Sequence, residues 1–355
     1  LVEDSIRFYS SALPHLYKVV LEQSQEFAKE ALNDHQRTLR MRGRPKIKLA
    51  RTYEEATAIY DRYREHILGI VSDMSFTREG KKDMLAGYRF GQYVRETGPV
   101  TPIIMESSES SNREYARKLG ASFIDKNSKS YPQDLREKIM RRFGFGDFVI
   151  LEPETKEEIM RIKDLKGLQH QIFNIPERSL RYHLSRNHFS RFFYSRAMFP
   201  PAELLKQIDV NMCTDLNDAR QLIFDVIVQY RQMKNSGVVA VYQKERFDEY
   251  SNFARIGEGS LGGKGRGLAF IGAMIKRYPM LDQENFPVNI PKTVVFCTDI
   301  FDEFMETNRL YPLALSDISD EEMLSRFLEA ELPKRLVDDL MAFFEVVKRP
   351  IAVRS

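Results

Sequence analysis

Short apolar runs that alternate with helical stretches dominate the first 147 residues. Three of these runs, LGIVSD at 68–73, TPIIMES at 101–107 and ASFID at 121–125, have the length of buried strands. Strands that alternate with helices indicate a parallel sheet whose faces are covered by the helices. Helices are expected over about 5–39 and 53–66, with further strands at the start of the chain and at 46–50.

The pattern changes at FGFGD, residues 143–147, where the glycines predict a domain boundary. Helices predicted over 154–166 and 177–197 make 148–252 a helical linker or middle segment. From residue 253 onward the glycine density rises. The predicted elements there are a helix through Ile275, a strand at 292–297, a helix starting near Asp299, helices around 320–329 and 334–346, and a last strand at 350–355. We therefore expect an α/β multi-domain protein, with a doubly wound parallel sheet over 1–147 and an α+β domain over 253–355.

Composition narrows the class of protein. A length of 355 residues suggests two or three domains, and the longest apolar runs, such as GVVAVY at 237–242, are far too short to span a membrane. The net charge of +3 gives no overall attraction to nucleic acid or anionic lipid. Two cysteines, Cys213 and Cys297, form neither a disulfide framework nor a zinc site, so a cytoplasmic location is expected. The chain begins without Met and ends on PIAVRS, and we expect it to be a piece of a longer protein.

Candidate chemistry lies at the ends of the predicted strands. The carboxyl ends of neighbouring parallel strands converge on one crevice, and the residues that fall there are Glu3, Asp4, Asp73, Ser107 and Lys126. The three carboxylates provide the oxygen ligands that suit Mg²⁺. A phosphoryl group on Asp73 would be stabilised by that metal and by the Lys126 ammonium, with the Ser107 hydroxyl donating to a phosphate oxygen. The pattern predicts that Asp73 is a phospho-acceptor.

This order of an acidic pair, Asp, Ser and Lys on successive strand ends resembles the response-regulator receiver domain, which has a flavodoxin-like fold. Phe123, three residues before Lys126, lies where that family carries its switch aromatic. The resemblance covers about 1–147 and implies a histidine kinase or another phosphodonor as partner. The sequence departs from the family at Asn127, where receivers usually carry proline, in a long loop after Asp73 and in an expanded first helical region. A receiver-like scaffold that docks against a partner and never takes a phosphoryl group is the alternative.

A second candidate site is the glycine-rich stretch ARIGEGSLGGKGRGLAF, residues 254–270. Gly257, Gly259 and Gly262 match GxGxxG, which is a weak signal without a clear βαβ unit, and the stretch is not a Walker A loop. Glycines let backbone N–H groups approach phosphate oxygens, the following helix N-terminus adds positive potential, and Lys264 supplies a charge. These features favour phosphate binding by the backbone of Gly262, Gly263 and Gly265 with the Lys264 side chain.

Three motifs in order, SLGGKGRGLAF, the strand after Pro291 and the final VRS, resemble the start of the nucleotide-binding domain of phosphoenolpyruvate synthase and pyruvate phosphate dikinase. The resemblance covers about 253–355 and implies part of an ATP-grasp-type fold, in which Lys264 contacts ATP phosphates and Arg354 the transferred phosphoryl region. It also implies ATP and Mg²⁺ as cofactors. The acidic half of the nucleotide site, the phosphohistidine domain and the barrel that binds pyruvate or phosphoenolpyruvate are absent from this chain. We expect an enzyme part that is inactive alone, or alternatively a phospho-signalling or docking module.

The middle segment carries arginines interleaved with aromatic residues between 178 and 196. Such a pattern can bind single-stranded nucleic acid. We favour a helix whose aromatic side chains pack inward and whose arginines are solvated or paired with acids, so nucleic acid is an unlikely partner. His183 and His188 are five residues apart, which places them off a common helix face and disfavours a metal pair.

Overall fold

A computed structural model describes residues 1–98, 100–209, 215–235, 237–244, 247, 250–278, 288 and 290–354. The chain divides into two compact units, each built from two segments. The first unit is Leu1–Ala31 with Arg37–Val228, and the second is Leu32–Gln36 with Gln229–Ser355. The protein is a mixed α/β structure with a parallel sheet in each unit. The division into 1–147, 148–252 and 253–355 stays a prediction, and its first boundary falls inside the first unit.

A parallel sheet forms the centre of the first unit. Strands β1 (Ile70–Asp73), β4 (Ile103–Ser107) and β5 (Ser122–Asp125) pair in the order β1-β4-β5. Val2 extends this sheet, because it forms parallel bridges to both Ala50 and Ser72. The strand predicted at 46–50 is therefore wrong in its length: within that stretch Ala50 alone forms a β-bridge, with its N–H donating to the Leu1 carbonyl at 2.9 Å, while the Lys48 carbonyl accepts from the Leu1 amino group at 2.9 Å.

Helices cover both faces of this sheet, because successive strand side chains point to opposite sides. Val71, Ile104 and Ile124 face one core, and Ile70, Ile103 and Met105 belong to the other. The helices of the sheet region are α1 (Ile6–Lys29), α2 (Asp34–Arg42), α3 (Tyr53–Tyr63), α4 (Ala86–Thr97), α5 (Arg113–Lys118) and α6 (Tyr131–Arg142). Helices α1 and α6 pack on the first face, and α3, α4 and α5 on the second. The helix predicted over 5–39 is interrupted, since α1 ends at Lys29.

A short antiparallel hairpin follows β1 directly. Strands β2 (Phe76–Arg78) and β3 (Lys81–Asp83) are joined by Glu79 and Gly80, whose φ angles are 50° and 76°. Two central residues with positive φ are characteristic of a type I′ turn, which matches the twist of a two-stranded ribbon. The long loop predicted after Asp73 is thus an ordered hairpin, anchored in the core by Phe76, which is fully buried.

Residues 148–228 continue the first unit. Strands β6 (Phe148–Leu151) and β7 (Glu158–Ile162) form an antiparallel pair, so the helix predicted over 154–166 is wrong. Polar side chains fill that stretch because most of β7 is exposed. The helices that follow are α7 (Leu165–Gln171), α8 (Glu177–Leu184), α9 (His188–Ser195), α10 (Phe199–Lys206) and α11 (Leu216–Asn235). The single helix predicted over 177–197 breaks at Asn187, whose φ is 54°.

The second unit contains a parallel sheet of the order β10-β9-β8. Its strands are β8 (Ala240–Val241), β9 (Phe253–Ile256) and β10 (Thr293–Phe296), and its helices are α12 (Gly262–Arg277), α13 (Thr298–Thr307), α14 (Leu310–Ala314), α15 (Asp320–Glu329) and α16 (Lys334–Val346). Residues 350–354 are exposed and form no strand, so the strand predicted there is wrong for the described residues, and Ser355 lies outside them. Cys297 is a free, buried thiol, and Cys213 lies outside the described residues.

Candidate functional site

The carboxyl ends of the first unit's strands bring the predicted acidic residues together. The Lys126 ammonium lies 2.7 Å from Asp73 Oδ1 and forms a second ion pair with Glu3 Oε2. Its side chain is only 4% exposed, and it lies over the ring of Phe8 with 4.3 Å between Nζ and the ring centroid. Lys126 therefore holds the Glu3 and Asp73 carboxylates together in a largely dry environment, as its place after β5 predicted.

Asp4 is the third carboxylate of this cluster, and it has a cation of its own. The ammonium of Lys82, on strand β3, lies 2.8 Å from Asp4 Oδ1 and 2.9 Å from Oδ2, and it also donates to the Ser75 carbonyl at 2.8 Å. Thr77 donates its hydroxyl to Asp4 Oδ2 at 3.3 Å. The hairpin thus supplies two of the partners of Asp4.

Ser107 lies at the end of β4 and is buried. Its hydroxyl oxygen accepts hydrogen bonds from the Glu109 N–H at 3.1 Å and from the Asn112 side-chain amide at 2.9 Å. A hydroxyl has two acceptor lone pairs and one donor, so these bonds leave the O–H for an acceptor. This geometry suits the predicted role of Ser107 as a donor to a phosphate oxygen.

Burial and charge shift the ionisation of the cluster. Burial, assisted by the neighbouring Asp73, raises the pKa of Glu3 against the opposing effect of Lys126. Burial acts to lower the pKa of Lys126, but the Asp73 and Glu3 carboxylates outweigh it and raise that pKa. Burial raises the pKa of Glu106, which accepts a hydrogen bond from the Tyr131 hydroxyl at 2.9 Å, to about 7. The ammonium of Lys126 therefore stays charged beside the carboxylates.

The donor set of the cluster fits a divalent cation. One carboxylate oxygen from each of Glu3, Asp4 and Asp73 lies within 4.8 Å of the others. Three anionic oxygen donors are the chemistry that Mg²⁺ prefers, and its remaining positions are usually taken by water or phosphate oxygens. The residues that the sequence predicted as metal ligands are thus close enough to share one ion.

The glycine-rich loop of the second unit lies between β9 and α12 and is held by α13. Asp299 Oδ2 accepts a hydrogen bond from the Glu258 N–H at 3.0 Å, and its Oδ1 accepts one from the Gly259 N–H at 2.9 Å. The hydroxyl oxygen of Thr298 accepts from the Ser260 N–H at 3.0 Å. Gly257 has a φ of 100°, and a Cβ there would lie 2.4 Å from Asp299 Oδ1. The first half of the loop therefore binds the protein's own carboxylate, which leaves the second half as the candidate phosphate site.

The predicted phosphate-binding residues occupy the N-terminal turn of α12. Gly262 begins the helix with a φ of 70°, and a Cβ at Gly262 or Gly263 would meet no atom within 4 Å. Gly265 packs instead toward β10, where an added Cβ would lie 3.0 Å from Val295 Cγ1. Lys264 and Arg354 are both exposed. The geometry gives Gly262 and Gly263 open space, while Gly265 serves helix packing.

Several residues that matter to these sites were not predicted from the sequence. Lys82 lies on a hairpin and Phe8 on a helix. The order of the strand ends does not predict that either element lies over the acidic cluster. The turn residues Glu79 and Gly80 before Lys82 are the one local signal, because glycine after a polar residue favours a hairpin turn. Asp299 was noted only as the start of a helix, whereas its carboxylate also binds the glycine-rich loop.

The aromatic residues of the middle segment lie in the core rather than on the surface. Phe189, Phe192 and Phe193 are at most 1% exposed. Arg191 and Arg196, expected to be solvated or paired with acids, are instead buried and donate to backbone carbonyls. That part of the prediction is wrong, because the backbone carbonyls of Val100, Phe192 and Gly146 accept from the two guanidinium groups.

The two histidines of this segment meet across the helix break. His183 Nδ1 lies 2.8 Å from His188 Nδ1, and His183 Nε2 accepts a hydrogen bond from the Leu151 N–H at 3.0 Å. Burial lowers the pKa of His183 to about 4 and that of His188 well below its usual range. The pair is therefore neutral and hydrogen-bonded. The five-residue spacing predicted that the two rings lie apart, because it assumed one continuous helix.

No described helix is both long enough and apolar enough to cross a membrane. Comparisons of the chain with protein-family models, with curated proteins and with solved structures give no match.

Proposed function

We propose that the first unit is a receiver-like module in which Asp73 accepts a phosphoryl group with the help of Mg²⁺. The observation that carries this proposal is the position of Lys126, whose ammonium lies between the Asp73 and Glu3 carboxylates at the carboxyl edge of a parallel sheet. The sheet order, with Val2 between Ala50 and β1 and then β4 and β5, supports it, since flavodoxin-like folds have the strand order 2-1-3-4-5.

Each residue of the cluster has a distinct part in this proposal. Glu3, Asp4 and Asp73 would hold the metal, which supplies positive charge to the transferring group. Lys126 is held near Asp73 before any phosphoryl group arrives, so its charge is preorganised for the phosphate oxygens. The Ser107 hydroxyl is oriented by its two donors and offers its proton to a phosphate oxygen. Nucleophilic attack by the Asp73 carboxylate then forms an acyl phosphate and releases the donor's leaving group.

Incubation with a small phosphodonor and Mg²⁺ tests the proposal by intact mass. We expect a labile phosphoryl adduct on the wild-type chain that is absent from Asp73→Asn and present in Asp125→Asn. Asp125 is a matched control because it also ends a strand of the same sheet, where its Oδ1 accepts from the Asn127 N–H. An unmodified wild-type chain, or an adduct that is still present in Asp73→Asn, would contradict the proposal that Asp73 accepts the phosphoryl group.

We further propose that the second unit is the first part of an ATP-binding site of the phosphoenolpyruvate synthase type, so that the parent protein is a phosphotransferase. Support comes from the strand, glycine-rich loop and helix order β9–α12, with open space at Gly262 and Gly263 beside the exposed Lys264. Helix N-termini and glycine backbones bind phosphate readily. Arg354 is the proposed second contact to the phosphoryl groups, and transfer toward pyruvate is the proposed reaction.

Nucleotide binding by a chain extended beyond residue 355 tests this second proposal. Lys264→Ala should weaken ATP binding at least about tenfold, because a lysine–phosphate contact is a charge-assisted hydrogen bond. Arg277→Ala, at the far end of the same helix, should leave it unchanged. Equal ATP affinity of the Lys264→Ala and wild-type chains would contradict the proposed ATP-binding site.

A docking module without phosphorylation is the alternative. One observation favours it: Lys126 and Lys82 already balance the acidic cluster with ion pairs to all three carboxylates. The cluster can therefore be a stable structural element in the absence of a metal. The phosphodonor experiment separates the two functions, because the docking module gives no adduct.

A further inference from the structure

The β2–β3 hairpin places a cation on one of the three carboxylates of the acidic cluster. Lys82 is the only residue of this hairpin, among those described, with an ion pair to Glu3, Asp4 or Asp73. An ammonium group has three N–H donors, and those of Lys82 are directed at Asp4 Oδ1, Asp4 Oδ2 and the Ser75 carbonyl. Both oxygens of Asp4 are thus occupied by one tethered charge.

A divalent cation at this cluster needs an oxygen of Asp4 as a ligand. The same oxygen cannot coordinate the cation closely while the Lys82 ammonium remains less than 3 Å away, because the two positive charges repel each other at that distance. Lys126 differs in this respect, since its ion pairs are with Oδ1 of Asp73 and Oε2 of Glu3, one oxygen of each carboxylate, whereas Lys82 contacts both oxygens of Asp4. Lys82 is half exposed and can turn toward solvent.

We propose that Lys82 is a tethered competitor for the divalent cation, so that metal binding displaces it from Asp4 and loosens the hairpin tip. This inference rests on the proposed metal-assisted function of the first unit. It adds that metal binding at the acidic cluster makes Arg78–Lys82 more mobile. This surface segment follows β1, the strand that ends at Asp73.

The contacts of the hairpin explain why its tip responds and its base does not. Phe76 anchors the base in the core, and Thr77 forms a bridge to Thr52. The tip is held by the Lys82–Asp4 pair, by the Glu79 N–H, which donates to Glu54 Oε1 at 2.9 Å, and by the Arg78 guanidinium, which lies 5.0 Å from the centroid of the Tyr53 ring. A hairpin with strands of three residues has little stability of its own, so losing one of these anchors increases the motion of the tip.

Mn²⁺ binding to the full chain, followed by the electron paramagnetic resonance signal of the free ion, tests the competition. We expect Lys82→Gln to bind Mn²⁺ about tenfold more tightly than the wild-type chain, since a charge-assisted hydrogen-bonded pair no longer has to be broken. Lys81→Gln is the matched control, because Lys81 is the exposed neighbour on the same strand. It removes the same charge and should change the affinity less than twofold.

Three outcomes separate this inference from the function on which it rests. Tighter binding by Lys82→Gln alone supports the inference. Equal, measurable binding by the wild-type chain and both lysine variants overturns it but leaves the metal site standing. If neither the wild-type chain nor Lys82→Gln binds Mn²⁺, the metal site itself fails and the inference falls with it.

Hydrogen exchange gives a second readout that does not depend on affinity. Saturating Mg²⁺ should speed amide exchange in residues 78–82 of the wild-type chain and leave the Lys82→Gln hairpin unchanged, because its tip is already released. Slower or unaltered exchange in the wild-type chain with the metal bound would show that Lys82 stays on Asp4, and would overturn the inference.

Discussion

Lys126 shows how one side chain can determine the character of a site. Its ammonium is buried against two carboxylates and an aromatic ring, so neither Glu3 nor Asp73 relies on solvent for its balancing charge. Removal of one partner from a buried ion pair is far more costly than removal of an exposed one, because the remaining charge is left without compensation. Lys126 is therefore structural as well as a candidate for phosphoryl stabilisation.

We expect Lys126→Gln to lower the free energy of unfolding of the first unit by about 3–5 kcal/mol, since it leaves two carboxylates in a dry site. Urea denaturation followed by hydrogen exchange of the β1 and β4 amides measures the change. Lys129→Gln, an exposed lysine in the same loop, should change it by less than about 0.5 kcal/mol. Equal stability of the two variants would mean that solvent already balances Glu3 and Asp73. Adding Glu3→Gln to Lys126→Gln should recover part of the loss.

At the scale of elements, the break between α8 and α9 has a chemical consequence. Asn187 adopts a left-handed backbone conformation there, and the two histidines on either side come within hydrogen-bond distance. When a histidine stays neutral in the folded protein, protons bind it only in the unfolded chain, and this binding favours the unfolded state. The contact therefore makes the first unit sensitive to acid.

The stability of the first unit should fall as the pH drops from about 6.5 toward 4. Burial holds the pKa of His183 in the folded protein at about 4, against its ordinary value of 6.5, so in this window the unfolded chain binds protons that the folded chain does not. His183→Gln, which can still accept from the Leu151 N–H, should make the slope of unfolding free energy against pH shallower. His170→Gln, at an exposed position, should keep the wild-type slope. Identical slopes in all three proteins would contradict the linkage.

The elements that could be predicted from the sequence are those with a strong local pattern. Strands β1, β4, β5 and β10 and helices α15 and α16 lie where apolar runs and capping residues placed them. Strand β7 was predicted as a helix, because its exposed charged residues carry no period-2 signal and its pairing with β6 is a tertiary effect. The end of α1 at Lys29 was missed because only four residues, 30–33, separate it from the next helix.

The two candidate sites differ in how far the sequence predicted them. Strand-end reasoning brought Glu3, Asp73 and Lys126 together correctly, because parallel strands place their carboxyl ends at one edge. It could not give Lys82, whose position depends on a hairpin that crosses back over Asp4. For the glycine-rich loop the sequence predicted phosphate binding by the backbone of Gly262, Gly263 and Gly265. It did not predict that the earlier Glu258 and Gly259 N–H groups bind Asp299, which is about 40 residues away along the chain.

At the scale of the whole molecule, one buried arginine links distant segments of the first unit. Arg196 is 2% exposed, donates to the carbonyls of Gly144, Gly146 and Phe192, and lies over the rings of Phe27 and Phe192 at 4.1 and 3.5 Å. Burial lowers its pKa to about 9. These contacts explain why the glycine-rich segment at 143–147, predicted as a domain boundary, lies within a compact unit.

We expect Arg196→Met to lower the free energy of unfolding by about 3 kcal/mol, because it removes the guanidinium donor to the Gly146 carbonyl and leaves the Gly144 and Phe192 carbonyls to the Ser195 hydroxyl alone. Arg196→Lys should lose most of the same stability, since one ammonium cannot reach the carbonyls that the planar guanidinium bridges. Arg178→Met, at a highly exposed arginine, serves as the control and should change stability by less than about 1 kcal/mol. Thermal unfolding of the full chain measures all three. If Arg196→Met unfolds at the same midpoint temperature as the wild-type chain, the contacts of Arg196 do not stabilise the 143–147 segment.

The spacing of the acidic cluster along the chain sets an order on its formation during synthesis. Glu3 and Asp73 leave the ribosome with the first strands, whereas Lys126 follows only after β5. Until then, the nascent sheet edge carries carboxylates that repel one another, with no buried ammonium between them. Arrival of the fifth strand completes the sheet and brings the Lys126 ammonium between the Glu3 and Asp73 carboxylates in one event, so the chemistry proposed for Asp73 becomes available to a newly made chain only when its parallel sheet is whole.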